Sequence, residues 1–218
     1  MRDGMTEQES YSANGYALLC KLFPVPVVSA FYNRLQFDLD LQQSARSFLV
    51  EGPLLSKAAV EVYSHQYAPM ATFLWAVTPV ASRVAECELL PTYAYFRIYQ
   101  QGDICRVHSD RHACEHSLSI ALALSDERAW ALSIGRQQRE GPTTEVAPDF
   151  GSEEFASLPM SAGDAVMYKG VAHRHGRLEP NPNRWSAHLF LHWVDANGPH
   201  REHAFDRPTL ERYGLAGT

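Results

Sequence analysis

Residues 184–194, RWSAHLFLHWV, constrain the fold more than any other stretch of the chain. On an extended segment, Trp185, Ala187, Leu189, Leu191 and Trp193 project to one side, and Arg184, Ser186, His188, Phe190 and His192 to the other. The first face is apolar and packs. The second is polar, yet its imidazoles and phenyl ring are not the makings of an exposed surface. Such a strand belongs in a sheet whose second face lines an enclosed site.

The remaining 207 or so residues must supply that enclosure, and about this length predicts one domain over 1–218. Hydrophobic residues make up 45% and charged residues 20%, which allows a sizeable core. The net charge of −6 and the lack of a lysine or arginine run argue against a nucleic-acid partner. The polar N-terminus has no apolar signal region and no apolar run approaches membrane length, so neither secretion nor a membrane is expected. Cys20, Cys87, Cys105 and Cys114 form no CxxC pair and read as free thiols in a reducing cytoplasm.

Along the chain, residues 1–15 look frayed. Residues 27–37 carry apolar positions at helical spacing after Pro24 and Pro26, and a second helix or turn ends at Gly52. Residues 53–85 read as two or three helices broken at Pro69 and Pro79, with Leu74, Trp75, Val77, Val80 and Val84 on a packed face and His65 at the surface. After Glu88 the pattern changes. Tyr93, Tyr95, Arg97 and Tyr99 alternate with Ala94, Phe96 and Ile98 as a strand. A turn at 101–103 leads into a segment over 104–110, and 118–124 is a short apolar run suited to a buried strand. Another strand is expected over 130–134. The stretch 135–158 reads as a long loop with a short helix near 153–156. A turn over 159–164 launches 165–170, and the polar tail beyond Asp195 carries a short helix at 209–213.

His108 and Asp110 are two residues apart, so on an extended segment they project to the same side. A further imidazole follows at His175 or, as the alternative, His173. Two histidines and one carboxylate on one face of a metal leave three positions open, which suits a non-haem Fe(II) centre. One H-x-D triplet means little by itself. Here it lies between a β-rich segment and a buried strand, and the distal histidine is followed nine residues on by Arg184-x-Ser186. That arginine can form a bidentate pair with a carboxylate.

His108-x-Asp110, His175 and Arg184-x-Ser186 together resemble the motif of the 2-oxoglutarate- and Fe(II)-dependent dioxygenases, most similar to the prolyl-4-hydroxylase-like branch. The resemblance spans about residues 90–195. It implies an α+β chain with a mainly β core: a double-stranded β-helix, or jelly roll, over 89–195, helices from 1–88 packed outside one sheet, and an extension over 196–218. It implies His108, Asp110 and His175 as iron ligands, Arg184 on the C5 carboxylate of 2-oxoglutarate with Ser186 assisting, and Tyr99 lining the co-substrate pocket. Arg97 and Tyr95 are weaker pocket candidates. Arg177 is placed to turn toward co-substrate or substrate, and His173 toward the pocket mouth. One departure is that 119–124 carries no hydroxyl beyond Ser119, where part of the branch has a co-substrate tyrosine.

The reaction so implied couples O2 and 2-oxoglutarate to succinate, CO2 and, usually, a hydroxylated product. A small molecule, amino acid or peptide is the expected substrate. Arg106, Arg111 and Arg177 would favour an anionic one unless they are solvated surface charges. Two other classes share the H-x-D…H set: a cupin-type metalloenzyme with different chemistry, and a non-catalytic binding domain on the same fold.

Overall fold

The computed structural model describes residues 4–143 and 145–207. In chain order its strands are β1 (Tyr16–Leu19), β2 (Leu49–Val50), β3 (Ala59–Tyr63), β4 (Leu89–Gln100), β5 (Cys105–His108) and β6 (His116–Leu124). They continue with β7 (Trp130–Gly135), β8 (Phe155–Met160), β9 (Ala165–Tyr168), β10 (His175–Arg177) and β11 (Trp185–Asp195). The helices are α1 (Glu7–Asn14), α2 (Val25–Asp38), α3 (Leu41–Ser44) and α4 (Pro69–Ala85). A major sheet runs β1-β9-β6-β11-β4-β3-β2 and a minor one β5-β10-β7-β8, and every pairing is antiparallel.

The alternation in β11 sorts the molecule into layers. Ala187, Leu189, Leu191 and Trp193 join α2 and α4 in the largest apolar cluster, together with Leu118 and Ile120 of β6 and Met167 of β9. Ser186, His188, Phe190 and His192 are equally buried on the opposite side, toward the minor sheet. Between the sheets Ala121, Val166 and Tyr168 of the major sheet meet Leu132, Ile134, Leu158 and Met160 of the minor one. The helices therefore cover one sheet from outside, and polar side chains collect where the two sheets face each other.

Several local expectations are corrected. Residues 6–14 are not frayed: Thr6 and Glu9 form a reciprocal capping box that starts α1. The stretch 53–85 holds a loop, the strand β3 and a single helix. Pro69 sits in the first turn of α4, where its missing N–H costs nothing. Pro79 lies inside the helix on its exposed side, four residues after the 61%-exposed Trp75, so the unbonded carbonyl faces water. Trp75 accordingly leaves the packed face, whereas Leu74, Val77 and Val84 stay on it.

The loop after β7 is shorter than expected, because 155–160 is strand β8, not loop, helix or turn. Its Pro159 is tolerated because β8 is an edge strand. The expected helix at 209–213 lies outside the described residues.

Candidate metal centre and co-substrate pocket

The β10–β5 pair brings His175 directly opposite His108. Asp110 lies just beyond the end of β5, where its backbone N–H donates to the Gly170 carbonyl at 2.9 Å. Its Oδ1 is 3.4 Å from His175 Nε2 and 3.7 Å from His108 Nε2. Those separations are long for hydrogen bonds and near the spacing of donors bound to one first-row ion at about 2.1 Å. The three ligand atoms all lie within 4.8 Å of one another.

Both imidazoles are oriented from behind. His108 Nδ1 lies 2.9 Å from the Arg106 carbonyl, and His175 Nδ1 lies 3.0 Å from the His173 carbonyl. A carbonyl only accepts, so each Nδ1 carries the proton and each Nε2 presents a lone pair toward Asp110. Burial pushes His108 down to about 4, with the neighbouring His175 adding to the effect. Burial alone would raise Asp110; the His175 and His108 imidazoles outweigh it and hold the carboxyl well below its usual range. Burial opposes charge on His175 as well, but the Asp110 carboxylate raises it overall. The set is thus one anionic oxygen and two directed nitrogens.

Close backbone approach makes this geometry possible. A Cβ on Gly176 would lie 2.7 Å from the Cys105 carbonyl, so only glycine lets β10 come this near β5. His173 does not reach the centre and does not stand at a pocket mouth. It is buried, with Nδ1 2.8 Å from the Gly135 carbonyl and its ring edge-on to Tyr16.

The cavity at the three donors is also lined by Tyr95, Arg97, Tyr99, Tyr168 and Arg177. A wider cleft lined by Tyr11, Lys169 and His200 contains none of the donors. Arg97 is buried and its charge is matched: its guanidinium pairs with Glu61 and donates to the Tyr99 hydroxyl at 3.0 Å. Arg177 is 1% exposed and differs in this respect. It donates to the Trp130 carbonyl at 2.9 Å, sits 3.2 Å from His188 Nδ1 and 3.5 Å from Ser119 Oγ, and lies over the Trp130 ring. Among the described residues no carboxylate pairs with it. Burial lowers its pKa and, followed by the Arg177 charge, pushes His188 well below the ordinary imidazole value, leaving His188 neutral.

Arg184, expected to face this cavity, does not. Strand β11 begins at Trp185, so Arg184 falls outside the sheet. Its side chain is 71% exposed and pairs at 3.3 Å with Asp126 at the end of β6. Ser186 is buried but is taken up by the Asn181 amide at 3.1 Å, away from the cavity lining. Arg106 is tied to the Pro53 and Leu55 carbonyls, and Arg111 to Asp206 and the face of Tyr93.

No family profile matches the chain, and no curated protein sequence matches it. Solved structures do. The non-haem alpha-ketoglutarate-dependent carbocyclase SnoK from nogalamycin biosynthesis is similar over 96% of this chain and 91% of its own, with a TM-score of 0.69 and 16% identity. HygX from Streptomyces hygroscopicus, solved with nickel and 2-oxoglutarate, is similar over 89% of each chain, with a TM-score of 0.62 and 11% identity. A Pseudomonas putida prolyl-4-hydroxylase is similar over 85% of this chain and 96% of its own, at 0.59 and 14%. The fold is the double-stranded β-helix. At such identities the likeness extends to the fold and no further.

Sequence reasoning did not single out Tyr168, Gly170, Ser117 or Leu132. Parity along β9 was an available signal for Tyr168, which follows the inward-facing Val166 by two residues. Nothing local marks the others, whose roles depend on contacts between distant strands.

Proposed function

We propose that this chain is an Fe(II)- and 2-oxoglutarate-dependent oxygenase. One observation carries the reading: two histidines and an aspartate converge on a cavity that also exposes a buried guanidinium lacking any carboxylate partner among the described residues. An uncompensated buried cation is costly, and a bound anion offsets that cost. The donor set suits a hard to intermediate divalent ion with three positions left free.

His108, Asp110 and His175 would hold the iron. Arg177, not Arg184, would receive the far carboxylate of 2-oxoglutarate, with the Tyr99 hydroxyl beside it and Arg97 held back by Glu61. Arg177 follows His175 by two residues on β10, so both side chains leave the strand on the same side. The bound metal supplies activation of O2 together with 2-oxoglutarate. The chain's own part is to aim two Nε2 lone pairs and one carboxylate oxygen, to orient the co-substrate and to keep bulk water out. The fold supports the same class.

The outcome we assign is hydroxylation of a small molecule, amino acid or peptide, in a cytoplasmic setting. Four free cysteines and the absence of any membrane-length apolar helix among the described residues agree with that setting. The test is anaerobic titration of Fe(II) and 2-oxoglutarate. A weak visible charge-transfer band is expected in the wild type and none with Asp110→Ala. A wild-type protein that binds both without the band overturns the chelate. Succinate release on adding O2 and candidate substrates then identifies the reaction.

A further inference from the structure

The iron-ligand reading accounts for one oxygen of Asp110 and leaves the other. Oδ2 accepts from Ser117 Oγ at 3.2 Å, and that hydroxyl lies 2.9 Å from His192 Nδ1. Ser117 and His192 are cross-strand partners in the β6–β11 ladder, and both are almost wholly buried. Resting on the metal-centre reading, we propose that Ser117 and His192 are positioning residues that turn the Asp110 carboxylate so that Oδ1 faces the two histidines.

The direction of the relay follows from hydrogen-bond chemistry. A carboxylate only accepts, so the serine proton points to Oδ2; the competing Cys114 carbonyl at 3.3 Å is neutral and the weaker acceptor. The serine oxygen then receives the Nδ1 proton of His192. Nε2 of His192 is left as a bare lone pair, and it has no hydrogen-bond partner among the described residues. The imidazole cannot swing freely, since Tyr93 packs on it at 4.7 Å and Tyr95 at 5.7 Å. Two short links, both within the barrel, therefore connect β11 to the one ligand that lies off a strand. Such supports around a metal ligand commonly change affinity by about 10- to 100-fold when removed.

The amide side chains separate positioning from packing. Asparagine places its N–H where His192 has Nδ1, and glutamine places its N–H near the Nε2 position. Co(II) binding is measured by calorimetry and by the visible ligand-field spectrum, with thermal unfolding of each apoprotein in parallel. Ser117→Ala and His192→Gln are expected to weaken Co(II) binding about 10- to 100-fold and alter the spectrum. His192→Asn is expected to stay within threefold of wild type with its spectrum intact. A role in packing alone would move unfolding temperatures and leave the Asn and Gln variants alike in Co(II) affinity, which overturns the proposal. So does wild-type affinity in Ser117→Ala. If these variants bind normally while Asp110→Ala does not, the metal centre stands and the relay falls. If the wild type fails to bind Co(II), both fall.

Discussion

His108 and His175 face each other across adjacent strands, with ring centroids 4.4 Å apart and each Nδ1 engaged by the backbone carbonyl two residues earlier in the chain. Two of the three donors are thus fixed by the sheet before any ion arrives. Only Asp110 depends on side-chain and loop contacts for its direction. Preorganised donors of this kind bind an ion with little reorganisation.

Metal should therefore stabilise the fold measurably. An ion that binds the folded chain alone adds about 2.7 kcal/mol at a hundred times its dissociation constant. Ni(II) or Co(II) is expected to raise the unfolding temperature of the wild type by several degrees, an increase reversed by a chelator. Asp110→Ala should lose most of that increase. Equal shifts in the two proteins would mean the ion binds elsewhere.

Gly170 leaves no room for a side chain beside Asp110. A Cβ there would lie 2.4 Å from Asp110 Oδ2, 2.7 Å from the Cys114 carbonyl and 2.8 Å from Ser117 Oγ. The Gly170 carbonyl meanwhile holds the Asp110 N–H. Gly170→Ala should displace the carboxylate and weaken Co(II) binding at least tenfold, a magnitude about that of losing a ligand's support. Unfolding in urea monitors the accompanying loss of stability. Co(II) affinity equal to the wild type would show that the carboxylate is not confined as described.

Much of this was legible in the chain, and the limits have physical causes. Strict alternation in β11 and β4 showed which side chains look inward, because a strand's period of two leaves no choice once one face is apolar. His108, Asp110 and His175 could be grouped because an H-x-D at a strand end and a histidine after another strand are local patterns. The arginine could not be assigned. Arg177 ends one strand and Arg184 stands just before another, and a shift of one residue in where β11 begins decides whether Arg184 is inside or out. Strand β8 was hidden because proline and glutamate lower local β-propensity, whereas pairing with β7 supplies the hydrogen bonds. Strand β3 was masked by the helical composition around it.

Acid should destabilise the apoprotein well before its carboxylates titrate. His116, bonded to the Tyr11 hydroxyl at 2.7 Å, is pushed down to about 4, first by burial and then by the Lys169 charge. Burial likewise brings His192 and His108 to about 4. Once unfolded, these histidines take up protons near their ordinary value of about 6.5, and in the fold they stay neutral. Their contribution is complete above that value and is lost as pH falls toward 4, by at most on the order of 3 kcal/mol each. His175, raised by Asp110, has the opposite sign and is outnumbered. The urea midpoint of the apoprotein is expected to be lower at pH 5 than at pH 7.5, with His116→Phe reducing the difference. A midpoint that rises on acidification would contradict the burial of these imidazoles as neutral groups.

Arg177 and Arg184 give the most direct comparison. A buried guanidinium donates charge-assisted hydrogen bonds worth about 1.5–3 kcal/mol each, and lysine cannot reproduce its two-pronged geometry. An exposed ion pair such as Arg184–Asp126 contributes about 0–1 kcal/mol. Calorimetric titration of 2-oxoglutarate into the Ni(II)-loaded protein should therefore show Arg177→Lys binding about 10- to 100-fold more weakly. Arg184→Ala should bind within twofold of the wild type. Thermal unfolding of both variants guards against a trivial loss through misfolding, and Arg177→Gln, which keeps hydrogen-bond donors without the charge, isolates the electrostatic part. Should Arg184→Ala be the variant that loses the co-substrate, the carboxylate clamp would have to form by a rearrangement at the start of β11, and the pocket described around Arg177 would hold something else.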